Sequence, residues 1–148
     1  MDRTSRRCSL ALVLCAIAVM TAACSRQPGY PEAPQHGADI VIDESSLPTA
    51  VPRFFTYRYA NRNINFFVLK LETGVASYLD ACVTCYPKRL GYECRDGYVH
   101  CRACGMNYSV YRLEKGIAGC YPIRINGRSE KGKYLIALSE LQKHAGKF

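Results

Sequence analysis

The chain has 148 residues, which is enough for one domain and a leader. Its formal net charge is +8, and it contains eleven Tyr and five Phe but no Trp, a content that suits a small β-rich core. The basic residues are scattered, and an export leader is expected at the start of the chain, so the positive charge does not indicate nucleic-acid binding. No glycine-rich phosphate loop or Ser/His/Asp arrangement is apparent, so the sequence does not support a hydrolase or a nucleotide enzyme.

Residues 1–23 are predicted to be an export signal, with a basic start and an apolar run that is short for a membrane span. Small residues precede Cys24, as in the lipobox of bacterial lipoproteins, so we expect Cys24 to be lipidated after cleavage. The alternative is an ordinary cleaved signal. The pair Arg6-Arg7 also resembles a twin-arginine signal, which leaves the export route open.

Residues 24–38 contain Pro28, Pro31 and Pro34 with little apolar content, and this composition predicts a partly extended tether. Residues 39–148 are then the folded domain. This organisation predicts a protein held on the periplasmic side of a bacterial membrane by a lipid anchor.

The sequence pattern of the domain predicts an all-β fold. Residues 64–71 are apolar on both faces, which predicts a central strand, and Asp96-Gly97 predicts a two-residue hairpin turn. Ser139-Glu140 is expected to start a short C-terminal helix. The expected fold is a small antiparallel sheet or sandwich with two ribbon-like Cys-x2-Cys knuckle loops. The remaining strands are predicted at 40–42, 53–59, 92–95, 98–100, 107–111, 123–125 and 134–138.

Two Cys-x2-Cys pairs, Cys82/Cys85 and Cys101/Cys104, are separated by fifteen residues, a spacing typical of a four-thiolate metal site. Such a site suits tetrahedral zinc, mononuclear iron or an iron–sulfur cluster. Cys120 is a fifth candidate ligand or a nearby thiol. The alternative is that the six domain cysteines form three disulfides in an exported protein.

Other cysteine and histidine positions are weaker candidates. Neither Cys-x2-Cys pair is followed by His, because Tyr86 and Gly105 occupy those places, and this disfavours covalent haem. Cys94 lies on the hairpin between the pairs and is not expected to be a ligand. His100 precedes Cys101, but a solvated or structural role is more common for such a residue.

A family resemblance rests on several motifs together: Arg53–Tyr59, the Asn-Phe-Phe-Val at 65–68, Asp80–Pro87, Cys101–Met106 and Gly119–Pro122. They resemble the FtrD-like family of membrane iron–sulfur-containing proteins over residues 53–138. The resemblance implies an iron–sulfur cluster and a link to membrane redox chemistry or ferrous iron uptake.

Residues 99–125 also resemble the second half of a Rieske domain, so a Rieske-like fold is an alternative to a ribbon-like one. Cys85 and Cys104 stand where a Rieske centre has its two His ligands. Ligation by thiolates alone leaves more negative charge on the centre, which lowers its reduction potential.

The function expected from the sequence is therefore electron transfer by a lipid-anchored iron–sulfur protein that is not itself an enzyme. Its expected partners are the membrane and an acidic redox protein, with iron-uptake components as a further possibility and no nucleic acid. The alternative is a zinc site in the same cysteines that stabilises a binding module or delivers metal.

Substitution Cys24→Ala is expected to release the protein from membranes, because the short leader offers no other anchor. Membrane fractionation measures this, with Cys15→Ala in the same leader as the control. A Cys24→Ala protein that stays in the membrane fraction would mean that the leader itself is retained as the anchor.

Overall fold

A computed structural model describes residues 27–116 and 119–148. These residues form eleven strands and one short α-helix, with three single-turn 3-10 segments between the strands and a fourth after the helix. The strands are β1 Gln35–His36, β2 Asp39–Asp43, β3 Arg53–Tyr59, β4 Arg62–Leu71, β5 Gly74–Cys82, β6 Tyr92–Arg95, β7 Tyr98–Cys101, β8 Asn107–Ser109, β9 Pro122–Ile125, β10 Arg128–Glu130 and β11 Lys133–Ala137, and the helix is α1 Leu138–Gln142.

The strands form three small antiparallel sheets, as the sequence predicts for an all-β domain with a short C-terminal helix. Sheet I has the order β1-β2-β11-β10, sheet II has β3-β4-β5-β9, and sheet III has β6-β7-β8. Sheet II is the middle layer, because its two faces contribute to two separate hydrophobic cores. The expected fold class is therefore confirmed.

Strand β4 explains this layering, because both of its faces are buried. Side chains alternate between the faces of a strand. Ile64, Phe66 and Val68 accordingly enter the first core, between sheets I and II, while Phe67 and Leu69 enter the second core, between sheets II and III. All five are at most 1% exposed, so β4 is the central strand that its continuous apolar run predicts.

The second core is aromatic and contains cysteines. Phe67 of β4 stacks on Tyr78 of β5 at a centroid distance of 5.3 Å and meets the edge of Tyr92 of β6 at 6.2 Å. Tyr92 in turn meets Tyr108 of β8 edge-on at 6.3 Å. This packing brings sheet III, and the cysteine that ends β7, against the end of β5.

The hairpin between β6 and β7 turns at Asp96-Gly97. Both residues have positive φ, 51° and 77°, as a type I′ turn requires, and Gly supplies the second position without strain. The cross-strand pair Tyr92–Cys101 at the open end of this hairpin then lies beside the cysteine loops.

The connection between the last two predicted strands differs from expectation. The sequence predicts a turn beginning at Asn126-Gly127, but the chain continues into the short strand β10 and turns at Lys131-Gly132, where φ is 49° and 76°. All three residues of β10 are exposed, so no apolar alternation marks it in the sequence.

Two element ends also differ. β8 ends at Ser109 instead of Tyr111, because the chain turns there and Arg112 N–H donates to the Ser109 carbonyl. Helix α1 begins at Leu138, so Ser139 is inside it and does not cap it. Glu140 instead accepts a hydrogen bond from the Asn126 backbone N–H at 2.9 Å.

The structure describes residues 27–38 of the predicted tether, and these lie against the domain. Ala33 N–H donates to the Thr56 carbonyl and Thr56 N–H donates to the Pro31 carbonyl, at 2.9 and 2.8 Å. The Tyr30 ring stacks on Phe54 at 4.9 Å. Residues 31–33 thus pack along β3 at the edge of sheet II, and Gln35–His36 form β1 of sheet I.

Residues 1–26, which hold the predicted export signal and Cys24, lie outside the described residues. In the part of the chain that is described, no helix has the length and apolarity needed to cross a membrane.

Candidate metal centre

Three separate segments deliver five cysteines to one end of the second core. Cys82 is the last residue of β5 and Cys101 is the last residue of β7. Cys85 and Cys104 follow in the loops after these strands, and Cys120 lies two residues before β9. The site therefore depends on sheets II and III being packed together.

Four of these sulfurs form a tight group. The Sγ atoms of Cys82, Cys85, Cys101 and Cys120 all lie within 4.8 Å of one another. Cys104, which the sequence pairs with Cys101, is outside that group, but its Sγ is 3.4 Å from the Sγ of Cys120. Cys82, Cys101 and Cys120 are buried, whereas Cys104 is exposed. All five predicted cysteines are thus brought together, with Cys104 on the solvent side.

The second knuckle is closed by its own backbone. Gly105 N–H donates to the Cys101 carbonyl at 2.9 Å, and Cys101 N–H donates to the Met106 carbonyl at 2.9 Å. Gly105 has φ of 75°, a left-handed conformation that glycine adopts without cost. This turn places Cys104 back beside the sulfurs.

The Cys120 loop is joined to the first knuckle. Val83 N–H donates to the Tyr121 carbonyl at 3.1 Å, and the Thr84 hydroxyl donates to the Gly119 carbonyl at 3.0 Å. These bonds hold Cys120 next to Cys85, with their Sγ atoms 3.9 Å apart.

Asp80 joins the first knuckle to sheet III. Its Oδ1 accepts a hydrogen bond from the Tyr92 backbone N–H at 2.6 Å, and the carboxylate lies directly against Gly91. Asp80 is 3% exposed, and its second oxygen has no hydrogen-bond partner among the described residues. Burial raises the pKa of Asp80 to about 7, although the Tyr92 N–H acts in the opposite direction.

The thiols strongly affect one another's ionisation. Burial by itself raises the pKa of Cys82, but hydrogen bonds from the Cys120 thiol and backbone N–H groups lower it to about 7. Burial and the nearby Cys104 and Cys82 sulfurs raise the pKa of Cys85 to about 12, and burial also raises the pKa values of Cys101 and Cys120. A bound cation removes this conflict, because it stabilises several adjacent thiolates at once.

The donor set fits a thiolate-bound metal. A tetrahedron with metal–sulfur bonds of about 2.3 Å has sulfur–sulfur edges of about 3.8 Å. The Cys85 and Cys120 sulfurs are 3.9 Å apart, and no pair in the tight group is more than 4.8 Å apart. Thiolates select zinc, iron and iron–sulfur clusters over hard cations such as magnesium. The arrangement therefore supports metal binding.

Two tyrosine side chains complete the surroundings. Tyr92 and Tyr108 are 0% and 3% exposed, and their rings lie beside the sulfurs of Cys82 and Cys120, respectively. Neither hydroxyl has a hydrogen-bond partner of ordinary geometry in the described part of the chain. The sequence assigned no role to these tyrosines, to Asp80 or to Gly91, because no spacing rule connects them to the cysteines.

Two further positions lie apart from the sulfur group. Cys94 is exposed on β6, opposite Val99. The His100 ring forms a 2.7 Å hydrogen bond with the Asn107 side chain and not with a cysteine.

Known proteins provide three comparisons. Residues 51–148 match the family described as membrane iron-sulfur containing protein FtrD-like. None of the curated proteins compared with the chain is significantly similar to it. One similar crystal structure is that of a protein assigned as the small subunit of an NADPH nitrite reductase. It is 10% identical to this chain, and the match covers 66% of this chain and 96% of that chain. The TM-score of 0.40 is too low for the two folds to be equated.

Substitution Gly91→Ala is expected to destabilise the protein and weaken metal binding. A Cβ at this position would lie 2.2 Å from one Asp80 carboxylate oxygen, so the Asp80–Tyr92 bond would have to shift. Gly97→Ala is the matched control, since its φ is similarly positive but a Cβ there meets nothing within 4 Å.

We expect Gly97→Ala to cost about 1–2 kcal/mol of unfolding free energy from backbone strain. Gly91→Ala should cost about 1–3 kcal/mol more. Urea unfolding and Co²⁺ titration of the thiols measure both effects, and equal behaviour of the two variants would contradict the role given to Asp80.

Proposed function

The chain belongs to the FtrD-like family of membrane iron–sulfur-containing proteins, and from this premise we propose that it holds an iron–sulfur cluster and carries electrons in the cell envelope. The observation that carries the proposal is the convergence of five thiols from three segments at one end of the second core. A cluster bound there would supply one-electron oxidation and reduction.

The tight group is the proposed ligand set: Cys82, Cys85, Cys101 and Cys120. Three of them are buried in the second core, which limits the access of water to the metal. Cys104 is then a fifth thiol on the solvent side, in contact with Cys120 and free to replace one ligand.

The surroundings suit a carrier that meets its partner at the cysteine loops. On the inner side, the aromatic core covers the sulfurs. On the outer side, Cys104 is exposed. Val83, which follows Cys82, and Tyr121, which follows Cys120, are 38% and 37% exposed. An electron therefore has a short path between the cysteines and the surface on that side.

Anaerobic purification followed by redox titration tests the proposal. We expect a coloured protein that contains iron and acid-labile sulfide and is reduced and reoxidised reversibly. A colourless protein without redox response would contradict electron transfer.

A second candidate is a single tetrahedral zinc or iron ion. The specific observation in its favour is that the four sulfurs all lie within 4.8 Å of one another, close enough for all four to bind one ion after a small adjustment. In this case the metal would hold the three segments together or be passed to another protein. Metal and sulfide analysis separates the candidates, because a single ion binds without labile sulfide.

Serine substitutions of the cysteines test the ligand set. Cys82→Ser, Cys101→Ser and Cys120→Ser should each abolish or strongly weaken metal retention, because each removes a buried thiolate from the tight group. Cys104→Ser should retain most of the metal, and exposed Cys94→Ser should retain all of it.

Metal content per chain, measured after purification, gives the result. The opposite result would be that Cys104→Ser loses as much metal as Cys82→Ser while Cys120→Ser keeps its metal. That result would identify the four residues of the two Cys-x2-Cys pairs as the ligands.

An acidic redox protein is the proposed partner. Lys88 and Arg89 follow the first knuckle, and the Lys88 ammonium is 3.5 Å from the Ala103 carbonyl of the second. Lys147 lies over the Tyr86 ring at 4.3 Å. None of these three cations is paired with a carboxylate among residues 27–116 and 119–148. They form a basic rim, defined as Lys88, Arg89 and Lys147, beside the sulfurs.

The basic rim predicts faster electron exchange with anions. Oxidation of the reduced protein by ferricyanide should slow as salt is added, whereas oxidation by cationic hexaamminecobalt(III) should not. Lys88→Glu with Arg89→Glu should reduce this salt dependence, measured by stopped flow. The control Lys131→Glu with Lys133→Glu makes the same charge change on sheet I, and an equal effect there would assign the behaviour to net charge alone.

The proposed location is the periplasmic side of a bacterial membrane, with the lipid anchor at Cys24 and a link to membrane redox chains or ferrous iron uptake. The family's membrane association supports a position at a membrane.

A further inference from the structure

The hydroxyls of Tyr92 and Tyr108 are buried polar groups without an ordinary partner. Each side chain is at most 3% exposed, so neither hydroxyl can bond to bulk water. A buried donor left unsatisfied costs about 1–3 kcal/mol. Phenylalanine would fill the same space without that cost, so the two hydroxyls need a better acceptor than the neutral thiols beside them.

Both hydroxyls face sulfur. Tyr92 is the strand partner of Cys101, and both tyrosines belong to the buried core that contains Cys82, Cys101 and Cys120. Burial raises the pKa of both phenols, and the nearest sulfur adds to this effect, Cys82 for Tyr92 and Cys120 for Tyr108. The two hydroxyls thus lie next to different sulfurs of the tight group.

The rings are held in place. Tyr92 is fixed by its backbone bond to Asp80 and by edge contacts with Phe67 and Tyr108. Tyr108 is fixed on β8 through its pairing with Val99. The hydroxyls therefore stay directed at the sulfurs, whether or not a metal is bound.

We propose that Tyr92 and Tyr108 are positioning residues that donate hydrogen bonds to the sulfur ligands of the centre and raise its reduction potential. The inference rests on the proposed function. An anionic sulfur is a far better acceptor than a thiol. Reduction adds negative charge to the centre, so a donor directed at its sulfurs stabilises the reduced form more than the oxidised form.

The variants Tyr92→Phe, Tyr108→Phe and their combination test this in the full chain. Each removes one oxygen and leaves the ring packing intact. The control is Tyr78→Phe, which belongs to the same aromatic core but whose hydroxyl donates to Glu114 at 3.1 Å.

Redox titration of the loaded proteins should give a more negative midpoint potential for each of the two variants. The double variant should shift the potential further than either single variant, and the difference from the sum of the two shifts measures the coupling between the contacting rings. Tyr78→Phe should keep the wild-type potential. Wild-type potentials in both test variants would overturn the inference while leaving the proposed function intact.

The stability of the metal-free proteins gives an independent test, in which the substitutions are expected to be neutral or stabilising. Without metal the hydroxyls lack a good acceptor, so Tyr92→Phe and Tyr108→Phe should unfold at the same urea concentration as wild type or at a higher one. A marked loss of metal-free stability would reveal another partner for the hydroxyls and overturn the inference.

The cluster content of the wild-type protein separates failure of this inference from failure of the proposed function. If it contains no redox-active cluster, the proposed function fails, and Co²⁺ then serves as the probe of the hydrogen bonds. The sulfur-to-cobalt absorption band should shift in the two test variants and not in Tyr78→Phe. An unchanged band would overturn the hydrogen bonds themselves.

Discussion

The arrangement of the cysteines depends on one hydrogen bond between two sheets. The Asp80 carboxylate accepts the Tyr92 backbone N–H at 2.6 Å, and this fixes the start of sheet III against the end of β5. The contact is possible only because residue 91 is a glycine, since any Cβ there would overlap the carboxylate. Cys82 lies two residues after Asp80, and Cys101 is the strand partner of Tyr92. The same bond therefore brings the first residues of both knuckles together.

The two cores of the domain have different relations to the site. The first core, between sheets I and II, is formed by aliphatic and aromatic side chains with no cysteine, and it supports the frame. The second core contains Cys82, Cys101 and Cys120 among its buried residues. Metal binding is therefore coupled to the packing of sheet III, because the ligands are themselves part of that core. Sheet II connects the two cores through the alternating side chains of β4.

The electrostatics of the site follow from placing five thiols close together. Hydrogen bonds lower the pKa of Cys82, and the pKa of Cys85 is high because of burial, the adjacent Cys104 thiol and repulsion from the Cys82 thiolate. A metal allows several thiolates to coexist, and the directed hydroxyls of Tyr92 and Tyr108 add hydrogen bonds to the same sulfurs in our proposal. The exposed Cys104 and the basic rim then mark the side on which a partner would meet the centre.

The sequence by itself determined the features that depend on local pattern. The spacing of the two Cys-x2-Cys pairs indicated a thiolate site, the apolar run of residues 64–71 identified the central strand, and Asp96-Gly97 identified the hairpin. Each is encoded within a few consecutive residues, by side-chain alternation or by a required φ. Only the tertiary structure placed Cys120 in the tight group and Cys104 on the solvent side, and only it directed the two tyrosine hydroxyls at the sulfurs. Those relations join residues far apart in the chain, and they arise from the packing of sheet III on sheet II, which no local spacing specifies.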